Sequence, residues 1–378
     1  MGCSDMKMQT YLANLVLSQL NGGKAMNIPE NININEILDI AVRNQMEYLI
    51  FGALVRTDNV PDNLKELLRS RLRFCVMKTL AQVTELKDLI DGLEKAGIKN
   101  QPLKGACLRL LYPSPEMREM SDIDILIADE QMDAAGKVLV ELGYTLEQSV
   151  KHHDIYSKKP FLIVEVHRAM YDKTVDGNQY EYFKSFERAV LTVGKKYTYE
   201  FKKEDFYVYM IAHENKHYNG CGTGLRSLLD TYIYLRHYDK KLDFVYIDAE
   251  LEKLGLIDFE QQNRDLAFNL FDGKRLTDDN RKMFAYMVES GVYGTVDNQV
   301  AHRMQKLTGN GAVTALKKIK FYLLRTFPDS ETLLPYYPPA KYKVLLPFVW
   351  LYRLVKALTI KRKAVLKEVS IIESLKRL

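Results

Sequence analysis

Two acidic residues, Asp122 and Asp124, open the short apolar run "DIDILIA". On a β-strand successive side chains alternate faces, so both carboxylates point one way while Ile123 and Ile125 enter the core. Two carboxylates side by side repel each other unless a cation lies between them. Hard oxygen ligands of this kind suit Mg²⁺, which is usually held by one or two carboxylates together with substrate phosphates. A third acid, Glu165, interrupts another apolar run, "FLIVEVH", where a glutamate needs a partner or a purpose. If the two runs are neighbours, Glu165 completes a three-carboxylate cluster. Such a cluster can hold two metal ions for an in-line displacement at phosphorus. Upstream, Gly105 ends a strand and opens a helix, which lets backbone N–H groups face an anion such as a triphosphate tail.

A second constellation spells a different chemistry. His213-Glu214-Asn215-Lys216-His217 is a literal H-E-x-x-H, the helical pattern of a zinc-dependent protease. The extended form of that motif adds a glycine and a third histidine. Gly220 is in place, but Thr223 stands where the histidine belongs. The glycines after His217 also stop the helix, so a zinc hydrolase is the lesser reading. A polar helix face without chemistry and a nucleotide-contacting face stay open as alternatives. His152 and His153, on a strand segment, read as surface or packing residues.

D-x-D alone is a weak signal, shared with glycosyltransferases and with phosphatases of the haloacid-dehalogenase type. The phosphatase version follows an apolar strand, whereas polar "REMS" precedes the pair here. A glycosyltransferase would carry a nucleotide-binding α/β half before the motif, and this chain has helical segments there.

These residues must be held by regular elements, and the periodicity supplies them. Residues 1–78 form an N-terminal helical region; the helical pattern continues through "PDNLKELLRSRLRFCVMKTLAQVTELKDLIDGLEKAG" as one long helix or two. Residues 79–200 form a small mixed-sheet domain. Its strands are "IKNQPL", "DIDILIA", "TLEQSV", "HHDIYSK" and "FLIVEVHRA", with helices at "ACLRLLY" and "DEQMDAAGKVLVELGY". Residues 201–378 return to helix. The fold class is α+β, a small sheet domain flanked by N- and C-terminal helical regions.

The pattern "LKG…LYPSPEMREMSDIDILI…GY…FLIVEVH" resembles the bacterial group of uncharacterised nucleotidyltransferases, within the DNA-polymerase-β-like nucleotidyltransferase superfamily. That group has a Lys-Gly, a Tyr-Pro, an Arg shortly before D-I-D, and a later E-x-H. Lys104, Gly105, Arg118, Asp122, Asp124, Glu165 and His167 fall on those positions. The resemblance implies Asp122 and Asp124 as metal ligands. It implies Glu165 as the third carboxylate, sharing a metal or taking the proton from the acceptor hydroxyl. Where the wider superfamily has Gly-Ser, this chain has Gly105-Ala106, so the phosphate contact of that serine falls to Lys104 or Arg118. The family also carries a histidine pair followed by L-R-x-L-x-D, matched by His213, His217, Arg226 and Asp230. His217 and Arg226 thereby join the nucleotide-binding set, and the spacing of Arg226 and Asp230 suits an intrahelical ion pair.

The activity so implied moves a nucleoside monophosphate from a nucleoside triphosphate to an unidentified acceptor, with two Mg²⁺ ions and release of pyrophosphate. A catalytically silent, regulatory or antitoxin-like binding protein is the alternative from another class.

The bulk properties agree with these readings without choosing among them. The 378 residues are 47% hydrophobic and 27% charged, with a formal net charge of +5. That excess suits an anionic small substrate and leaves nucleic acid possible but not favoured. Cys3, Cys75, Cys107 and Cys221 form no C-x-x-C pair, which points to a reducing, cytoplasmic setting. The start "MGCSDMKMQT" has Met6 where a myristoylation signal needs Ser or Thr. The run "VLLPFVWLY" is too short to span a bilayer. The basic, amphipathic stretch "VLLPFVWLYRLVKALTIKRK" fits an acidic membrane surface or a nucleic acid. A packed helix with a solvated lysine face is the preferred reading.

Overall fold

The computed structural model describes residues 7–150, 152–173, 176–309, 313–334 and 337–374. Cys3 and Met6 lie outside them. The described chain divides into two compact units, Met1–Asn215 with Gly224–Val292, and Lys216–Thr223 with Tyr293–Leu378.

The first unit begins with four helices, α1 (Met8–Leu20), α2 (Ile34–Arg43), α3 (Glu47–Val55) and α4 (Asp62–Lys95). The Asn33 side chain caps α2 by accepting the Asn35 N–H, and Glu36 and Arg43 suit the positive and negative ends of the helix dipole. Pro61 precedes the first residue of α4 and Gly97, at φ +69°, follows its last turn. The segment left open as one helix or two is a single helix of 34 residues.

Then comes the sheet. β1 (Asn100–Pro102) leads into α5 (Gly105–Leu108), and β2 (Ile123–Ile127) into α6 (Met132–Glu141). β3 (Thr145–Ser149), β4 (His153–Lys158) and β5 (Leu162–His167) follow. The strand order is β1-β2-β5-β4-β3. β2 pairs in parallel with β5, and the other neighbours are antiparallel. This is a small mixed sheet in an α+β chain, as the residue pattern indicates. All five residues of β2 are buried: Ile123, Ile125 and Ile127 pack with Leu89, Leu93, Ala135, Val138 and Leu139 of α4 and α6, while Leu126 packs in a second core on the other face. Two elements had no clear sequence signal, the short α7 (Gly177–Tyr182) and the hairpin of β6 (Ala189–Leu191) and β7 (Tyr199–Phe201).

The helices that complete this unit are α8 (Lys203–Tyr218, as far as Asn215), α9 (Leu225–Tyr238), α10 (Phe244–Leu254), α11 (Ile257–Phe271) and α12 (Asp278–Ser290). Their core is aromatic: Tyr207, Tyr209 and Tyr234 are almost completely buried.

The second unit contains α13 (Val296–Thr308), α14 (Ala315–Thr326), α15 (Ser330–Leu333), α16 (Leu346–Leu358) and α17 (Arg362–Ser374). Two small cores hold it, one around Val300, Met304, Phe321 and Ile372, the other around Leu333, Ala340 and Val349. No helix among the described residues is long and apolar enough to cross a membrane.

Candidate active site

Parallel pairing of β2 with β5 places Asp124 directly opposite Glu165, with Leu126 opposite His167. Asp122 immediately precedes β2 and, two residues from Asp124, shares its face. The condition attached to the two apolar runs is therefore met: they are adjacent strands, and the Asp124 and Glu165 carboxylates lie side by side with His167, while Asp122 is not part of that close grouping.

Asp124 is the centre of the cluster. Its Oδ1 accepts a hydrogen bond from Lys104 Nζ at 2.7 Å and lies 2.7 Å from His167 Nε2. The same His167 nitrogen is 3.5 Å from Glu165 Oε2. Burial opposes the charge on Asp124, but the Lys104 ammonium and the His167 bond win and hold its carboxyl well below the usual range. The His167 bond likewise lowers Glu165. Burial, then the negative charges of Asp124 and Glu165, push Asp122 up to about 6. Burial would discharge the His167 ring, yet its bonds to Asp124 and Glu165 raise it instead. Ligand atoms of Asp124, Glu165 and His167 all lie within 4.8 Å of one another.

Lys104 reaches Asp124 from an unusual backbone. Its φ is +49°, a region that L-residues seldom occupy, at the turn between β1 and α5. Such strain costs about 1–3 kcal/mol and persists where the surroundings dictate it. Gly105 follows because nothing larger fits. A Cβ there would lie 2.9 Å from both Arg118 Nη1 and Met120 Cγ. Ala106 is buried, and its N–H is bonded to the Leu103 carbonyl; that of Cys107 is bonded to the Lys104 carbonyl. These two amides are thus committed within the turn.

Arg118 is placed differently from a surface phosphate clamp. Its Nε and Nη2 grip Asp230 of α9 at 2.9 and 2.7 Å, and its Nη1 donates to the Glu119 carbonyl at 2.9 Å. Tyr112 donates to the same Asp230 at 2.8 Å. The intrahelical ion pair expected between Arg226 and Asp230 gives way to this buried bridge, because Asp230 faces the loop that leads into β2. Arg226 bonds instead to the Glu119 carbonyl at 3.0 Å and to Gln45. Burial, then the charge of Arg118, pulls its guanidinium down to about 10, and its buried Nε has no hydrogen-bond partner among the described residues.

Further residues that the sequence did not single out brace the same loop. Gln82 of α4 donates to the Met120 carbonyl at 3.1 Å, and Arg109 joins Gln82 to the Arg118 carbonyl at 3.1 and 3.2 Å. Gln45 donates to Ser121. A lone glutamine on a helix gives no sequence signal. Arg109 did offer one, since an arginine within "LRLLY" faces burial and needs acceptors. His153 of β4 stacks beside His167 with ring centres 5.3 Å apart, a packing position at the edge of the cluster.

His213 and His217 stand one turn apart on α8, while Gly220 and Thr223 follow the helix. The helix ends at Tyr218. Two groupings of ligand-type side chains occur among the described residues, Asp124-Glu165-His167 and Glu47-Cys75-Glu119, and neither includes these histidines. Glu214, between them, is buried and pushed up to about 8 by that burial.

The family model described as uncharacterised nucleotidyltransferase matches residues 30–272, well over half of the chain. The chain belongs to that family. Membership implies a nucleotide donor and an acceptor, and every residue of the carboxylate cluster lies inside the matched segment. A search of curated proteins finds no match. Among solved structures, a solution structure of antibiotic-resistance factor ANT(2'')-Ia is similar at 9% identity and a TM-score of 0.36. It covers 48% of this chain and 98% of that one. A crystal structure of ANT(2'')-Ia with adenylyl-2''-tobramycin is similar at 10% identity and a TM-score of 0.26, covering 51% and 98%. These scores are too low to say anything about what this nucleotidyltransferase-family chain acts upon.

Proposed function

We propose that this protein transfers a nucleoside monophosphate from a nucleoside triphosphate to an acceptor hydroxyl or phosphate, with release of pyrophosphate. The observation that carries the reading is the in-register pairing of Asp124 with Glu165, with Asp122 on the same face. The catalytic part is the segment 79–200, and the helices before and after it serve as flanking regions.

The cluster fits divalent metal ions. Its oxygens are hard ligands, and the mutual repulsion that pushes Asp122 up to about 6 is relieved by a cation. Asp122, Asp124 and Glu165 would hold two Mg²⁺ ions, which supply charge neutralisation on the donor phosphates when bound. Lys104 and Arg226 add positive charge on the donor side, Lys104 through its contact with Asp124. Gly105 and Ala106 form the floor of the turn. Arg118, committed to Asp230, acts as a positioning residue for the loop that carries Asp122. His217 stays in the nucleotide-binding set through the family motif alone.

In the reaction the acceptor oxygen attacks the α-phosphorus and its bond to the bridging oxygen of the β-phosphate breaks. Pyrophosphate departs with that bonding pair. Glu165, ionised at neutral pH because His167 stabilises its charge, takes the acceptor proton.

The test is calorimetry of ATP, GTP, CTP and UTP with Mg²⁺, on wild type and on Asp122→Ala/Asp124→Ala. Magnesium-dependent binding of one triphosphate that disappears in the double variant supports the reading and names the donor. Binding of none, or binding unchanged in the variant, overturns it.

A further inference from the structure

Helix α16 in the second unit is built the wrong way round for water. Phe348, Leu351, Tyr352, Val355 and Leu358 recur every three or four residues and so form one stripe. That stripe is the outward face: the five side chains are between 53% and 69% exposed. The buried side of the helix is thin, with Val349 in a small core and Trp350 donating to the Pro328 carbonyl at 2.9 Å. Helix α14 repeats the arrangement with Leu316, Ile319 and Leu323, each more than half exposed. Scattered exposed apolar residues need no explanation, but ordered stripes on two helices of one unit do.

The charge is as uneven as the hydropathy. Residues 313–373 hold twelve Lys or Arg against four Asp or Glu, while the chain as a whole has an excess of only five. The entire positive balance therefore resides in this stretch, and the rest of the chain is slightly acidic. Lys320, Lys361, Arg362, Lys363 and Lys367 are exposed. Lys341 and Lys356 lie over the rings of Tyr342 and Tyr352, at 4.8 and 5.9 Å, so each pairs a cation with an exposed aromatic face.

We infer that this surface of the second unit docks on an anionic lipid bilayer, with α16 lying in the interface plane. A nucleic acid would use the lysines and leave the leucines against water. A second copy would cover the leucines and press two strongly positive surfaces together. Only an anionic membrane surface satisfies both features at once: the apolar stripe enters the acyl boundary while the lysines meet acidic headgroups. No helix among the described residues is both long and apolar enough to cross a membrane, and the inference is of docking in the interface plane. This is the membrane alternative to the solvated lysine face that the sequence favoured. The face open to water on α16 is apolar, not lysine-rich.

The experiment is co-sedimentation of the full chain with vesicles of phosphatidylcholine alone and of equal parts phosphatidylcholine and phosphatidylglycerol. Partitioning into the anionic vesicles should exceed that into neutral ones at least about tenfold at low salt and fall as salt rises. Phe348→Ser/Leu351→Ser should lower it about tenfold, and Lys361→Gln/Lys363→Gln about fivefold. All four side chains are exposed, so unchanged circular dichroism should accompany both losses. Absent binding, or equal binding to both vesicle types, overturns the inference. So does a dimer in sedimentation velocity that Phe348→Ser/Leu351→Ser dissolves without any vesicle binding. Polynucleotide binding that needs the lysines and ignores the apolar pair, without vesicle binding, overturns it too.

Discussion

Two clusters of ligand-type side chains lie among the described residues of the first unit, and their surroundings treat them differently. Glu47, Cys75 and Glu119 have the residue types of a metal site. Yet Glu47 is already paired with Arg71 at 2.6 Å, and Glu119 accepts the Tyr48 N–H at 2.8 Å. Burial pushes the Cys75 thiol up to about 12 and Glu119 to about 7, so the thiol keeps its proton and the carboxyl is about half protonated at neutrality. Asp124, Glu165 and His167 show the opposite behaviour. Their acids are held in the charged form, and the lysine that balances them stands on a strained turn. Ligand identity and proximity are shared, so what separates the clusters is the protonation state that their surroundings impose. Loop residues 117–121 connect them, since Glu119 belongs to one and Asp122 opens the other.

The largest expected contrast is in catalysis. Asp124→Ala should reduce nucleotidyl transfer about ten-thousandfold, roughly 5.5 kcal/mol in barrier, whereas Glu119→Gln should leave the rate within about twofold. Pyrophosphate release with the donor identified by calorimetry measures both, and equal losses would erase the distinction between the clusters.

Next is the connection between them. Asp230→Ala leaves the Arg118 guanidinium buried and unpaired, and the stability of the chain should fall by about 3–5 kcal/mol in urea denaturation. Asp230→Asn keeps the Tyr112 contact and should recover part of that loss. A change below about 1 kcal/mol for the alanine variant would mean that the bridge does not hold the loop.

The protonation difference itself can be titrated. Glu119 has a folded-state value raised to about 7, above its unfolded one. The folded chain therefore keeps a proton that the unfolded chain releases. Stability falls as pH rises from about 4.5 to 7, by on the order of 3 kcal/mol, and levels off above. Glu119→Gln should flatten the profile across that window, and an unaltered slope would place the effect elsewhere.

The smallest effect concerns the ion pair that neutralises Glu47. Arg71 is about half exposed, so Arg71→Ala should cost about 1 kcal/mol or less in thermal or urea unfolding. A larger loss would show the second cluster to be held by this cation rather than by burial.

Much of the candidate site was legible because its residues break a pattern. Acids within the apolar runs of β2 and β5 stand out wherever side chains alternate. The pairing of the two strands was not legible, since a whole helix and a hairpin separate them and nothing local encodes a parallel neighbour. The bridge from Arg118 to Asp230 spans more than a hundred residues. Four-residue spacing favoured Arg226 as the partner, and burial of Asp230 against the loop decided otherwise. Gln82 of α4 and Gln45 in the turn between α2 and α3 act through carbonyls and hydroxyls of the loop, a role that many polar residues could fill. The unity of α4 followed from helix-compatible residues over nearly all of its 34 positions; Gly92 interrupts them without stopping the helix, and a Cβ there would meet Val138 of α6 at 2.8 Å.

The in-register contact of Asp124 with Glu165 also sets where this chain tolerates changes in length. The excursion between the two strands, residues 128–161, returns to a register fixed by main-chain bonding of β2 with β5. Extra residues in the turn between α6 and β3, or between β3 and β4, leave the carboxylates facing each other. One extra residue inside β5 ahead of Glu165 rotates that side chain to the opposite face of the sheet. The β3–β4 hairpin is thus a natural graft point, where residues can be added without disturbing the register of Asp124 and Glu165.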